Sequence, residues 1–314
     1  MRSASRSRLG LLLLLLLVFA SGLGLYTSLR GVAQAAGPRI WLSQKVGPPT
    51  TSVQVNGAGF GHSETVLVDV DTTQVGATTT DATGKFAARI TVPKTALPGT
   101  HTVRATGQSS GLTALALFLV QTDWAQFHFG PHLTGYNPYE NVLTPSNVSA
   151  LTLDWSHTTG AMSYSSPAVA NGVVYVGSTD DKLYALDAVT GTRKWSYTTG
   201  GYIYSSPAVV GGVVYVGSAY PDLKLYALDA VTGALKWSYT TGGYIYSSPA
   251  VVGGVVYVGS YDGKLYALDA VTGALKWSYA TGDVIQSSPA VANGVVYIGS
   301  TDHNVYAFHL PGMS

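Results

Sequence analysis

Side chains suited to ligand binding recur at matching positions in the second half of the chain. An aromatic or amide residue precedes the tripeptide Ser-Ser-Pro four times, and an aspartate follows each of them 16 or 18 residues later. Tyrosine combines a flat apolar ring with a polar hydroxyl, which suits contacts to peptides or sugars. The predicted binding residues are Tyr164, Tyr204, Tyr246 and Gln286, with Tyr202 and Tyr244 beside them and Asp180, Asp222, Asp262 and Asp302 as acidic companions.

Metal binding is not predicted. His128 and His132 have the spacing of a helical metal pair, but Gly-Pro lies between them and no thiol or nearby acid completes a ligand set. Asp69, Asp71 and Asp81 are not spaced as in an EF-hand loop, and we interpret them as exposed turn residues. No Gly-x-Ser-x-Gly elbow, HExxH helix or phosphate loop occurs, so these signatures identify no catalytic residue.

The elements that position the tyrosines belong to a repeat of about 40 residues. Its tryptophans, Trp155, Trp195, Trp237 and Trp277, are spaced by 40, 42 and 40 residues. Each unit contains about four short runs rich in β-branched and aromatic residues, separated by turns such as Gly-Gly, Asn-Gly and Val-Thr-Gly. Four strands per 40 residues predict one propeller blade per unit.

Three units carry a motif that reads Ala-x-Asp-x-x-Thr-Gly-x-x-x-Trp. Its aspartates, glycines and tryptophans are Asp187, Gly191 and Trp195, then Asp229, Gly233 and Trp237, then Asp269, Gly273 and Trp277. This pattern resembles the tryptophan-docking motif of pyrroloquinoline-quinone-type (PQQ-like) β-propellers. The resemblance implies that each tryptophan packs flat between neighbouring blades, while the Asp and Thr side chains fasten the turn. From the residues alone, the aspartates are interpreted as turn-capping groups.

The quinoprotein dehydrogenases of the resembled superfamily surround calcium with Glu, Asn and Asp, add a catalytic Asp and stacking aromatics, and often contain adjacent cysteines. This chain has no cysteine, and residues 195–218 are identical to residues 237–260, which leaves few positions for a unique catalytic group. We therefore expect no enzymatic activity and no cofactor. The alternative is a PQQ-dependent dehydrogenase or a degenerate relative of one, in which case PQQ and Ca²⁺ would be bound.

Composition and the N-terminal segment predict export. The 314 residues carry a net charge of +1 with only 11% charged residues, which does not indicate nucleic-acid binding. Arginines precede an apolar run at residues 9–20, and Ala33-Gln34-Ala35 suits a signal peptidase. Residues 1–36 are predicted to be a signal peptide, or a membrane anchor through residues 9–29 if they are not cleaved. The predicted location is extracellular or at the cell surface.

Two further segments precede the repeats. Residues 38–121 contain about seven strand candidates, and Gly57-Ala58-Gly59-Phe60 followed by Glu64-Thr65-Val66 resembles the Ig-like spacer modules of bacterial surface proteins. Residues 122–150 resemble the lead-in before the first blade of quinoprotein-type propellers. The expected fold is all-β: an Ig-like β-sandwich followed by a PQQ-like β-propeller in residues 151–314.

The ends of the repeat region predict how the blades close. Residues 151–159 contain an outer strand with no preceding strands, while residues 288–309 contain the first three strands of a blade without the fourth. One expectation is a composite fourth blade that closes a four-bladed ring within the chain. The other, which we favour, is an open arc that a homodimer completes to eight blades, because the resembled family builds mostly six to eight.

The expected function is that of a binding or scaffold protein. Propeller loops that enter the innermost strand, and those between the second and third strands, meet at one mouth of the channel, where a protein or glycan partner would bind. The alternative for the tyrosines is a structural role between blades, since near-identical repeats copy structural residues as readily as functional ones.

Overall fold

A computed structural model describes residues 37–312, which form an all-β structure with one short 3₁₀ turn at Val148–Ala150. The predicted signal peptide or anchor at residues 1–36 lies outside the described residues. Among residues 37–312, no helix has the length and apolar character needed to cross a bilayer.

Residues 39–120 form two sheets that share one core. One sheet has the strand order β1-β3-β6 and the other β2-β8-β7-β4-β5. The strands are β1 (Arg39–Leu42), β2 (Val46–Gly47), β3 (Ser52–Ala58), β4 (Thr65–Val70), β5 (Thr73–Thr79), β6 (Phe86–Thr91), β7 (Gly99–Gly107) and β8 (Thr113–Val120). All neighbouring strands are antiparallel except β2 and β8, which are parallel.

Alternation of buried and exposed residues explains this β-sandwich. On β6, Phe86, Ala88 and Ile90 are buried and the residues between them are exposed, as expected for a strand with one face on a core. These side chains pack with Val66, Val68 and others from the opposite sheet. The predicted two-sheet arrangement is therefore present, while membership of the Ig-like class stays a prediction.

The repeats form three four-stranded antiparallel sheets and one three-stranded sheet, which we call blades 1 to 4. Blade 1 contains β9 (Ala168–Ala170), β10 (Val173–Gly177), β11 (Lys182–Asp187) and β12 (Arg193–Thr198); blade 2 contains β13 (Ala208–Val210), β14 (Val213–Gly217), β15 (Lys224–Asp229) and β16 (Leu235–Thr240); blade 3 contains β17 (Ala250–Val252), β18 (Val255–Gly259), β19 (Lys264–Asp269) and β20 (Leu275–Ala280); blade 4 contains β21 (Ala290–Ala292), β22 (Val295–Gly299) and β23 (Val305–His309).

A two-residue turn joins the first two strands of each blade. In blade 1, Asn171 and Gly172 both have positive φ, 51° and 71°. Two successive positive φ values define the type I′ turn, whose twist matches the flanking strands. The Asn-Gly and Gly-Gly pairs thus form hairpins where the sequence predicted them.

Apolar side chains and paired hydrogen bonds join neighbouring blades. Between blades 1 and 2, Leu183 packs in one cluster with Val214 and Val216. At the outer end of this seam, the Ala230 carbonyl accepts hydrogen bonds from the Tyr175 hydroxyl at 3.0 Å and from Trp195 Nε1 at 3.1 Å. The seam between blades 2 and 3 repeats this arrangement at the Ala270 carbonyl, with Tyr215 and Trp237 as donors.

The tryptophan rings lie beneath the glycine of the next blade's turn. A Cβ on Gly233 would lie 2.8 Å from Trp195 Cδ2, and one on Gly273 would lie 2.7 Å from Trp237 Cδ2. These glycines also have a φ of 73°, so both the close approach and the backbone conformation require glycine. The structure thus has the blade-to-blade tryptophan packing that the resemblance implies.

The lead-in segment connects the innermost strands of all four blades. Trp124 pairs with Val169 of β9 through two backbone hydrogen bonds of 2.7 and 2.8 Å, and the Ala125 carbonyl accepts from Val209 of β13 at 2.7 Å. The Gln126 side chain donates to the Val251 carbonyl of β17 and accepts from the Val251 amide. Further along the lead-in, the Pro131 carbonyl accepts from the Val291 amide of β21 at 2.8 Å. Residues 124–131 therefore satisfy backbone groups that would otherwise be unpaired along the innermost strands.

The composite fourth blade does not form, and this expectation was wrong. Among residues 37–312, β23 is an edge strand without a fourth strand beside it, and no core cluster joins blade 4 to blade 1. Residues 151–159 lie instead against blade 1, where Trp155 Nε1 donates to the Ala188 carbonyl at 3.1 Å and its ring lies beneath Gly191. The four blades form an open arc, as expected for the alternative that we favoured.

Candidate functional site

Seven tyrosines form one continuous aromatic surface on the loops that precede the innermost strands and on those between the second and third strands. The ring centroids of Tyr164 and Tyr204 are 5.4 Å apart, those of Tyr204 and Tyr246 are 4.9 Å apart, and those of Tyr246 and Tyr261 are 4.9 Å apart. Such separations lie within the range of favourable aromatic pairs. We call this set the tyrosine surface: Tyr164, Tyr202, Tyr204, Tyr220, Tyr244, Tyr246 and Tyr261.

Five of these seven tyrosines are among the binding residues predicted from the sequence, and the structure brings them together. The sequence analysis missed Tyr220 and Tyr261, which lie in the loops between the second and third strands of blades 2 and 3. Blades 1 and 4 have Thr179 and Thr301 in these loops, so no repeated residue pointed to the position. The position of Tyr220 and Tyr261 in the loop between the second and third strands could have identified them, because the sequence analysis expected these loops to lie beside the other tyrosines. Gln286 takes the tyrosine position in blade 4 and is exposed.

The rings are supported from below and open to solvent above. Ile245, between Tyr244 and Tyr246, is fully buried, and its Cγ2 lies where a Cβ on Gly217 would be only 2.2 Å away. Tyr164 is 61% exposed, and its hydroxyl lies 3.4 Å from the sulfur of Met162. Within residues 37–312, no hydrogen bond occupies the hydroxyls of Tyr204, Tyr246 or Tyr261. The hydroxyls can therefore bond to a ligand while the packed rings contact its apolar parts.

The four acidic companions bond mainly within the propeller. Asp180 accepts hydrogen bonds from the Gly160 amide at 2.8 Å and from the Tyr184 hydroxyl. Asp222, Asp262 and Asp302 repeat this pattern with Gly200 and Tyr226, Gly242 and Tyr266, and Gly282 and Tyr306. Desolvation opposes ionisation of Asp222, but hydrogen bonds from Lys224, Tyr226 and Ser218 outweigh it and lower its pKa. These carboxylates tie each blade to the connection that precedes it.

The motif aspartates fasten the turns above the tryptophans. Asp229 Oδ1 accepts from the amides of Val231 at 3.1 Å and Thr232 at 3.0 Å, while Oδ2 lies 3.2 Å from Lys236 Nζ. The Thr232 amide, followed by Lys236, lowers the pKa of Asp229 to about 2. Asp187 and Asp269 have equivalent partners, and their pKa values are also lowered to about 2.

These turns predict a loss of stability in acid. Because the pKa of Asp229 is lower in the folded chain than its ordinary value of 3.8, its contribution is complete above about pH 4 and is lost as pH falls through about 2. We expect the urea midpoint to fall steadily between about pH 5 and pH 2. Asp229→Asn should make this fall shallower, because the variant has one fewer titrating group.

Asp283→Asn is the matched control, since Asp283 is exposed in the connection between blades 3 and 4 and lies outside these turns. Its urea midpoint should follow the unmodified chain at every pH. Identical pH profiles for Asp229→Asn and the unmodified chain would contradict the assignment of Asp229 as a turn-fastening carboxylate.

The residues considered for metal binding do not lie together, and several of them contact other side chains or backbone amides. Among residues 37–312, no three His, Asp or Glu side chains converge into a group able to bind a metal ion. Asp71 pairs with His101 at 2.6 Å, and Asp81 accepts from the amides of Thr83 and Lys85 within its own turn. The His128 ring stacks on Phe127 with a centroid separation of 4.0 Å.

Two cavities beside the lead-in could hold a small molecule. One, of about 330 Å³, is lined by Trp124, Phe127, His128, Ser166, Pro167 and Val169. The other, of about 390 Å³, is lined by Val46, Gly47, Pro48, Gln121, Asp123, Ala125, Phe129, Tyr139 and Asn171. PQQ is a tricarboxylate, and recognition of carboxylates calls for Arg or Lys. Neither lining contains these residues, so the donors here do not fit the quinone.

Blades of this topology, with a tryptophan docked beneath the next blade's glycine, define a β-propeller of the PQQ-like class. The model of the family described as outer membrane protein assembly factor BamB matches residues 146–246 and 241–310. The chain belongs to this family of PQQ-like repeat proteins. Comparison with curated proteins gave no match.

Several solved structures match part of this chain. BamB from Moraxella catarrhalis is 26% identical over 49% of this chain and 49% of its own, with a TM-score of 0.45. The quinohemoprotein alcohol dehydrogenase ADHIIG from Pseudomonas putida HK5 is 25% identical over 57% of this chain and 34% of its own, with a TM-score of 0.52. The corresponding enzyme from Comamonas testosteroni is 24% identical over 57% and 35%, with a TM-score of 0.51. The match thus spans about half the length of BamB and about a third of the dehydrogenases.

Proposed function

We propose that this chain is a non-catalytic binding protein that acts outside the cytoplasm and binds a protein partner through its tyrosine surface. The observation that carries the proposal is the continuous set of packed rings, of which Tyr164, Tyr202 and Tyr220 are exposed to solvent. Tyrosine is enriched where proteins bind one another, because a rigid ring contributes contact area at little entropic cost.

The family description supports the same class of function. It names an assembly factor of the outer membrane, and assembly depends on contacts with other proteins. The N-terminal apolar run at residues 9–20 predicts export, which agrees with a location outside the cytoplasm. If residues 9–29 are retained, they would also anchor the propeller to the membrane.

The roles of the surrounding carboxylates favour binding over catalysis at this mouth. Asp222 accepts hydrogen bonds from Ser218, Lys224 and Tyr226, so its oxygens are already committed within the blade. A general base requires a carboxylate within reach of a substrate proton. The tyrosine hydroxyls and the exposed Gln286 side chain are polar groups available to a ligand.

Photo-crosslinking in the native cells tests the proposal. A photoreactive amino acid in place of Tyr164 should form adducts with protein, whereas the same group in place of Val231, an exposed turn residue of blade 2 away from the tyrosine surface, should not. Tyr204→Ala in the Tyr164-labelled chain should reduce the adduct about tenfold or more, as expected for a central aromatic contact. Tyr136→Ala, which removes an exposed tyrosine outside this surface, should leave the adduct unchanged.

Three results would overturn the proposal. Equal adducts at positions 164 and 231 would show that the surface is not selective. Adducts removed by glycosidases and not by proteases would identify a glycan ligand instead. Alcohol-dependent dye reduction by the purified chain after addition of PQQ and Ca²⁺ would identify a dehydrogenase, the activity of the two alcohol dehydrogenases with similar blades.

A further inference from the structure

A series of serine hydrogen bonds passes from blade to blade at the inner end of the seams. The Ser166 amide donates to Ser206 Oγ at 2.9 Å, the Ser206 amide to Ser248 Oγ at 3.0 Å, and the Ser248 amide to Ser288 Oγ at 3.0 Å. Within residues 37–312, the series stops at the Ser288 amide on one end and at Ser166 Oγ on the other. In the described part of the chain, the Ser288 amide at one end of the arc is therefore a donor without an acceptor, and Ser166 Oγ at the other end is an acceptor without a donor.

The tyrosine-to-carbonyl bonds are interrupted in the same complementary way. The Ala230 and Ala270 carbonyls each accept from one tyrosine hydroxyl and one tryptophan. In the described part of the chain, the equivalent Ala188 carbonyl of blade 1 accepts only from Trp155. Tyr297 occupies the corresponding tyrosine position in blade 4, is 40% exposed, and has no acceptor for its hydroxyl among residues 37–312.

The apolar faces at the two ends are the uncovered halves of one repeated interface. Leu183, Leu225 and Leu265 are fully buried at the three internal seams, but Val305, their equivalent in blade 4, is 80% exposed. On the opposite face, Val214 and Val256 are fully buried, whereas Val174 of blade 1 is partly exposed. Apolar faces of this kind are stable when they are covered.

We propose that two copies of this chain associate head to tail, so that blade 4 of each copy packs on blade 1 of the other and a ring of eight blades closes. Residues 151–159 of one copy then lie beside β23 of the other as its missing fourth strand. The internal blades set the register: Ala185, Ala227 and Ala267 lie opposite Trp195, Trp237 and Trp277, so Ala307 lies opposite Trp155 of the second copy. A second copy fits because the uncovered faces continue an interface that the chain already makes three times.

Closure of the eight-bladed ring completes both the serine hydrogen bonds and the tyrosine-to-carbonyl bonds. The Ser288 amide donates to Ser166 Oγ of the second copy, and the Tyr297 hydroxyl donates to the Ala188 carbonyl. Val305 packs against Val174, as Leu183 packs near Val214 within the chain. Two copies that contribute four blades each complete a full rotation with two identical seams, which leaves no exposed sheet edge at either junction.

Disulfide trapping tests the proposal, and the absence of native cysteine makes it clean. The full chain with Ser166→Cys and Ser288→Cys should, on oxidation, give a covalent dimer that a reductant separates. Each single variant should stay uncrosslinked at this seam, because its cysteine faces a serine. The internal pair Ser206→Cys and Ser248→Cys calibrates the geometry, and it should close within one chain.

A disulfide between positions 166 and 288 within one chain would overturn the proposal in favour of a closed four-bladed ring. Closure of the internal pair without any crosslink at the end pair would also overturn it.

Light scattering on the full chain, with the mass of bound detergent subtracted, gives an independent measurement. The expected mass is that of two chains, falling to one in Val305→Asp and unchanged in Val271→Asp, an exposed turn valine of blade 3 away from the two end faces of the arc. A single-chain mass for the unmodified protein, or an open-ended series of larger masses, would overturn the two-copy ring.

Discussion

Replacing Trp237 with alanine is expected to lower the free energy of unfolding by about 3–5 kcal/mol. The ring is only 9% exposed, lies beneath Gly273 of the next blade, and donates a 3.1 Å hydrogen bond to the Ala270 carbonyl. Its removal leaves a cavity between two sheets and leaves the Ala270 carbonyl with one donor, the Tyr215 hydroxyl. Denaturant unfolding at fixed protein concentration measures the loss.

The chain supplies its own matched control in Trp277. This tryptophan has the same motif position in blade 3, but it is 39% exposed, and the residues described beyond it do not form the turn that would cover it. Trp277→Ala should therefore cost only about 1 kcal/mol. Tyr246→Ala should also cost far less than Trp237→Ala, because that ring faces the mouth. Equal losses for Trp237→Ala and Tyr246→Ala would assign the tyrosine surface a structural role.

Local features of the blades could be predicted because each depends on a few adjacent residues. The four short runs predicted for each unit form the four strands of blade 2, including β15 (Lys224–Asp229). The hairpins at Asn171-Gly172 and its equivalents follow from the ability of Asn and Gly to adopt positive φ. Because three near-identical units repeat the same strand and turn patterns, the prediction does not depend on a chance match in one unit.

Closure of the ring could not be predicted because it depends on the angle that accumulates over all blades. The sequence shows that residues 151–159 and β23 could form complementary parts of one sheet, but not whether four blades bring them together. In the structure Trp155 lies on blade 1, far enough along the arc that β23 stays an edge strand. The same sequence pattern is therefore compatible with closure within one chain or between two.

The bonding of the lead-in to the innermost strands could not be predicted from the sequence either. Residues 124–131 interact mostly through backbone groups, such as the Ala125 carbonyl with Val209 and the Pro131 carbonyl with Val291. Backbone bonds of this kind leave no side-chain signature. At the mouth, by contrast, the adjacency of Tyr204 and Tyr246 was expected from their loops, whereas Tyr220 and Tyr261 were missed because they are not repeated in every blade.

Leu225→Ala is expected to lower the free energy of unfolding by about 2–5 kcal/mol. Leu225 is fully buried between blades 2 and 3, in the cluster that contains Trp237, Val256 and Ile245. Ile245 lies directly beside Tyr246 in the chain, so the cavity would also loosen the support of the tyrosine surface. Leu235→Ala is the control: it removes the same atoms from the same sheet at an exposed site and should cost about 0.5 kcal/mol or less.

The equivalent position at the end of the arc connects this stability experiment to assembly. Val305 stands where Leu225 stands in blade 2, so Val305→Ala should cost almost nothing in an isolated chain, because the side chain is already exposed. If a second copy covers that face, the cost appears and grows with protein concentration, since association stabilises the folded state by mass action. The loss from Leu225→Ala should be the same at every concentration, because its seam lies within one chain. Melts of both variants over a hundredfold range of concentration therefore separate an interface within the chain from one between copies, and a Val305→Ala loss that stays near zero throughout would leave the outer face of blade 4 without a partner.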